Sequence, residues 1–246
     1  GIPGALEGEG ALPHVGVLTL QHRMSPGICN LVSRLFYRDR LRTADPVLNR
    51  IALPSPLGGG DVFYIDSSQS KPSVRRAYKA SRENGLHVDL IEDLLAELDS
   101  GGAITKTGHL AVAVISPFRG QVHALKKRLG NRYTGRAVKV TTAHGGQGDE
   151  AEIVILDLTD APGLPVSGFL GSTRHPEEGA RLLNVSMSRA RQQLYVIGAL
   201  HHLERFGNHI TRDLIDYLRE NTELVPLHRF RGSAAQVYGP RPSRVA

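Results

Sequence analysis

Four short polar segments hold the residue types from which a site could be built: QHRMSP at 21–26, SPFRGQ at 116–121, TTAHGGQGDE at 141–150 and NVSMSRARQ at 184–192. Between them they gather arginines, carboxylates, amides, hydroxyls and glycines. The first three each follow an apolar run of strand length. In open α/β sheets, ligands bind where the carboxyl ends of strands run into helix N-termini. The fourth segment is expected on a helix just before the last strand. Taken singly, each has an ordinary reading: Arg23 as a surface residue at a turn, GGQG as a plain strand connection, SRAR as an exposed helix face.

Other chemistries lack their residues. A P-loop needs Gly-Lys-Ser/Thr, so that backbone amides and a lysine cradle the phosphates; no lysine of this chain follows a glycine. DEAE at 149–152 superficially resembles a magnesium-binding acidic box. Such a box follows the hydrophobic strand that aims its aspartate, and here the apolar run IVIL comes after it. Asp157 does follow an apolar run, but without a P-loop partner it is expected at a strand end. The His201–His202 pair has no carboxylate or thiol at ligand spacing and reads as a surface pair, so no metal site is expected. The single cysteine, Cys29, excludes an internal disulfide framework and fits a reducing cytoplasm.

These segments need elements to hold them. Apolar runs at 15–20, 62–66, 110–115, 138–142, 152–158 and 194–198 are of strand length, and helical patterns alternate with them. Ser25-Pro26 supplies an N-cap and a first-position proline for a helix with Ile28, Leu31, Val32 and Leu35 on one face. A leucine stripe from Leu86 to Leu98 predicts a helix from about Glu83, ended by Gly101-Gly102. Helices are expected again over 121–129, after the long loop at 160–179, and over 211–219. Strands alternating with helices predict a mostly parallel α/β sheet with helices on both faces.

The 246 residues suffice for one large domain with an ample core, and the apolar runs are far shorter than a membrane span. Net charge +6 and a pI near 9.7 fit a polyanionic partner. Residues 1–13 read as a linker or upstream remnant, 14–227 as the domain and 228–246 as a basic flexible tail. The opening GIPGALEGEG, with no Met, predicts further sequence upstream.

Together and in order, the four segments resemble the C-terminal RecA-like domain of superfamily 1 helicases of the nonsense-mediated-decay type. LTLQHRMSP is similar to the family's QYRMHP signature, and the likeness continues through VFYID, AVISPFRGQ, VKVTTAHGGQGDEAEIVIL and RLLNVSMSRARQQLYVIG, over roughly residues 15–200. The resemblance implies a RecA-like P-loop NTPase fold lacking its own P-loop. It also implies ATP with Mg²⁺ held by a missing N-terminal RecA-like domain of the same protein, and single-stranded DNA or RNA as partner.

By resemblance, Arg23 and Arg189 are the arginines that reach the γ-phosphate, where a fixed guanidinium fork suits developing negative charge. Gln21, Gly148, Glu150 and Arg191 fall to the nucleotide, with Glu150 as the ribose partner and Arg191 orienting the loop. Ser116, Pro117 and Gln121 match the loop that contacts backbone phosphates. Thr142, His144 and Gln147 match the motif that faces the nucleic acid. The family's Tyr is His22 here, its second-position His is Ser25, and the Thr before the finger is Ser188. Asp149 adds a carboxylate beside the expected ribose partner. The implied activity is that of the second motor domain of an ATP-dependent helicase or translocase, inactive as this fragment alone. The competing expectations are a non-catalytic RecA-like module that binds nucleic acid or a partner, and an unrelated α/β phosphate-binding domain.

Overall fold

The computed structural model describes residues 19–104, 110–133, 137–145, 149–173, 176–222 and 224–230. The expected linker, most of the expected first strand and nearly all of the expected tail lie outside these residues, as do Gln147 and Gly148.

The chain enters through β1 (Leu20–Gln21), α1 (Pro26–Phe36), β2 (Arg42–Thr43) and α2 (Asp45–Leu48). After β3 (Val62–Asp66), a hairpin of β4 (Val74–Arg76) and β5 (Arg82–Asn84) leads into α3 (Gly85–Ser100). Then follow β6 (Leu110–Ser116), α4 (Arg119–Tyr133), β7 (Val138–Thr142) and β8 (Ala151–Asp157). The remainder is α5 (Gly168–Gly171), α6 (Pro176–Met187), β9 (Ala190–Gly198), α7 (Leu200–Phe206), α8 (His209–Asn221) and β10 (Leu224–Val225).

Six strands pair in parallel in the order β10-β3-β9-β8-β6-β7. Alternate residues of each strand point to opposite faces, and both faces are covered. Val154, Leu156, Leu194 and Val196 pack with α1, α6, α7 and α8; Ile153, Ile155, Tyr195 and Ile197 pack with α3 and α4. Burial on both faces is why these strands are near-continuous apolar runs rather than alternating ones. Among the described residues, no helix is long and apolar enough to cross a membrane.

Three local expectations need correction. What is described of the first expected strand contributes only to the two-residue β1, which pairs with β2 outside the main sheet. Ser25 stands at the N-cap of α1, but its hydroxyl donates to the Gln192 carbonyl (3.1 Å), and the Gly27 N–H is satisfied by Asp61 Oδ2 at 2.8 Å. The 184–192 segment is only half helical: α6 stops at Met187, Ser188 and Arg189 form the turn, and Arg191 already lies on β9.

Candidate functional site

The arginines gather at the amino edge of the sheet, not at the carboxyl edge where the strand-end rule expects ligands. β8 and β9 begin side by side, with Ala151 paired to Ala190, and Glu150 and Arg189 immediately precede them. The loop after β1 is folded by Gln21. Its side-chain oxygen accepts the N–H groups of Arg23 (2.8 Å) and Met24 (2.6 Å), while its amide donates to the Met24 carbonyl and Thr43. Gln21, expected at the nucleotide, is thus committed within its own loop. That loop docks on β9 through the Ser25 N–H to the Arg191 carbonyl at 2.8 Å.

Arg23 is consequently brought to Arg189's turn. Its Nη1 donates to the carbonyl of Ser188 (3.2 Å), and its Nη2 lies 2.5 Å from Glu150 Oε1. Arg189 is 4% exposed. Its Nη2 donates to the Ala143 carbonyl at 2.8 Å, and its buried Nη1 has no hydrogen-bond partner among the described residues. Burial pushes the Arg189 pKa down and Asp149 opposes the shift, yet a guanidinium stays charged in proteins. Asp149 itself pairs with Lys139, whose hydrogen bond and charge hold its carboxyl below the usual range. A buried, charged donor is costly to leave unpaired, which suits Arg189 to an anionic group. Arg191 is turned elsewhere, with Nε 3.3 Å from Glu152 Oε1.

Arg50 was not anticipated. Its Nη1 donates to the carbonyls of Arg23 (2.9 Å) and Arg191 (3.4 Å), tying the two arginine-bearing segments together. It lies in a stretch without hydrophobic period or motif, so no local signal marks it.

The carboxyl edge holds a buried network instead. Gln121 donates to Asp157 Oδ2 (2.6 Å) and the Asn84 carbonyl (3.2 Å), and accepts the Asn84 N–H (2.8 Å). Ser116 Oγ meets Thr159 Oγ1 (2.9 Å) and accepts the Phe118 N–H (3.2 Å). Both side chains are fully buried and spent on the interior, so the expectation that they touch backbone phosphates needs correcting: they shape the 116–121 loop, which leaves Pro117 half-buried and Arg119 exposed at its surface. Thr142 accepts the Gly145 N–H at 3.1 Å and starts a turn in which His144 is exposed. Asp157 sits at the end of β8, fully buried, facing His87 Nδ1 at 2.7 Å. Among the described residues, no group of three or more His, Cys, Asp or Glu side chains is placed to hold a metal ion.

The fold is an α/β domain built on a parallel six-stranded sheet covered on both faces. A family model described as "AAA domain" matches residues 9–201. Curated relatives include the DNA polymerase alpha-associated DNA helicase A of Saccharomyces cerevisiae, 25% identical over 85% of this chain and 31% of that protein. A probable helicase of Dictyostelium discoideum is 29% identical over 87% of this chain and 21% of its own length. The regulator of nonsense transcripts 1 homolog of Arabidopsis thaliana is 25% identical over 91% and 18% respectively. The chain therefore spans less than a third of the relatives it matches. It belongs to this AAA-domain family, as a C-terminal RecA-like domain of the superfamily 1 helicases.

Proposed function

We propose that this chain is the second motor domain of an ATP-dependent helicase or translocase, and that Arg23 and Arg189 act on ATP held with Mg²⁺ by an N-terminal RecA-like domain. The observation that carries this reading is the bond from Arg23 Nη1 to the Ser188 carbonyl, which sets two arginines 166 positions apart in sequence on one edge. Bound nucleotide supplies the phosphoryl group that passes to water. Arg23 and Arg189 donate to its γ-phosphate, where negative charge develops; a finger of this kind contributes about 10³ to 10⁵ in rate. Arg189's Nη1, unpartnered among the described residues, supports a donor kept for that purpose. Glu150 accepts from the ribose, and the backbone of the turn containing Gly148 completes the nucleotide's surroundings. Gln21 and Arg191 act on the nucleotide through the loop they position. The strand of DNA or RNA is gripped by Pro117, Thr142, His144 and Gln147, with Ser116 and Gln121 shaping the first of those loops. Cleft closure and reopening then shift that grip along the strand.

The test is Arg189→Ala in the protein that carries both lobes. The expected result is loss of turnover by about 10³-fold or more with ATP binding retained. Unchanged turnover overturns the assignment. The 246-residue chain by itself is expected to hydrolyse no ATP.

A further inference from the structure

The hairpin of β4 and β5 is absorbed by neither the edge chemistry nor the sheet. We propose that its tip is a stacking platform for an unpaired base of single-stranded nucleic acid, with Arg76, Lys79 and Arg119 taking the flanking phosphates. The inference rests on the nucleic-acid grip proposed above and extends it beyond the 116–121 loop.

Tyr78 at the tip is 41% exposed, and its ring lies flat against His123 of α4, with centroids 4.3 Å apart and planes 12° from parallel. The Lys79 ammonium sits 5.4 Å from the same ring's centre. An exposed aromatic ring held flat and tended by a cation is what a base can stack upon, releasing the ammonium to a phosphate. Arg76, Lys79 and Arg119 are all exposed. The carboxylates within the cluster are already matched, Glu83 to Arg75 and Asp160 to Arg82, both at 2.7 Å. Positive charge is therefore left in excess around the ring, which favours a polyanion.

The platform is fixed rather than loose. A Cβ on Gly120 would lie 2.5 Å from the Arg82 carbonyl oxygen, so the hairpin rests directly on the first turn of α4 beside Pro117. On its other side the Val74 N–H donates to the Pro162 carbonyl at 2.9 Å. Lys79 and Ala80 both have left-handed backbones (φ 50° and 56°). Neither residue favours that conformation, and such strain persists where surrounding contacts impose it.

The experiment is fluorescence anisotropy of the 246-residue chain with a labelled oligothymidylate and with a duplex of equal length. Tyr78→Ala is expected to weaken single-strand binding about tenfold and leave duplex binding unchanged, while Tyr78→Phe binds as the unsubstituted chain does. The exposed pair Arg76→Gln with Lys79→Gln should lower the slope of log Kd against log salt by about 1.4. Single-strand binding that survives all these substitutions overturns the platform alone. No binding by the unsubstituted chain overturns the grip, and the platform with it.

Discussion

Glu150 Oε1 lies 2.5 Å from Arg23 Nη2, so the proposed ribose partner holds one of the two proposed fingers. With side-chain exposures of 44% and 37%, such a pair contributes little to stability, about 0–1 kcal/mol, and it parts readily for a ligand that satisfies both groups. Glu150→Gln is therefore expected to leave the melting temperature nearly unchanged. In the two-lobed protein it should raise the KM for ATP while sparing kcat, since the arginines remain. A fall in kcat at unchanged KM would count against the ribose role.

Arg50 makes a complementary case. It touches no proposed ligand, yet one of its nitrogens joins the Arg23 and Arg191 carbonyls. Arg50→Ala should cost about 1 kcal/mol of stability by chemical denaturation, the loss of a charge-assisted but half-exposed hydrogen bond. It should also lower kcat with ATP affinity retained, and Arg50→Lys should restore part of the loss because an ammonium still donates to a carbonyl. Equal activity in all three proteins would show that Arg23 needs no such tie.

Much of the fold was legible because burial on both sheet faces writes itself as unbroken apolar runs: VFYID and VKVTT are strands with the boundaries their composition implies. β4 and β5 were not, since VRR and REN carry charge and no alternation; what makes them strands is each other and the loop at Pro162. Arg23 and Arg189 were visible as members of ordered signatures. Their edge was not, because β1 looked like a main-sheet strand and pairs only with β2. Gln121 illustrates a further limit. A polar residue beside a helix N-terminus reads as ligand-facing until Asn84 and Asp157, 37 and 36 positions away, claim its amide.

The helix pair α7–α8 offers a pH dependence with a determinate sign. Arg219 donates to both carboxylate oxygens of Glu204, at 2.7 and 2.8 Å, and those bonds hold the Glu204 pKa below its ordinary 4.5. A carboxyl depressed in the folded state contributes stability that is complete above its unfolded value and lost as pH falls through the folded one. Thermal melts of the chain and of Glu204→Gln should therefore differ near neutrality and converge as the pH falls from 4.5 through the lowered folded-state value. A gap that stays constant over that range would assign it to packing instead.

Ser67, His87 and Asp157 reproduce the order of a hydrolase triad: Ser67 Oγ is 2.8 Å from His87 Nε2, and His87 Nδ1 is 2.7 Å from Asp157 Oδ1. All three are 0% exposed, and a nucleophile that no substrate can reach does no acyl chemistry. Their geometry instead closes the carboxyl edge, with Asp157 also accepting from Thr159 N–H and Gln121. Ser67 should accordingly resist a fluorophosphonate probe in the folded chain and react, if at all, only after unfolding. Asp157→Ala strands the partner groups of a buried carboxylate and should cost about 3–5 kcal/mol, against about 1 kcal/mol for Ser67→Ala. Rapid labelling of the native chain, or equal stability losses for the two variants, would contradict a purely structural role.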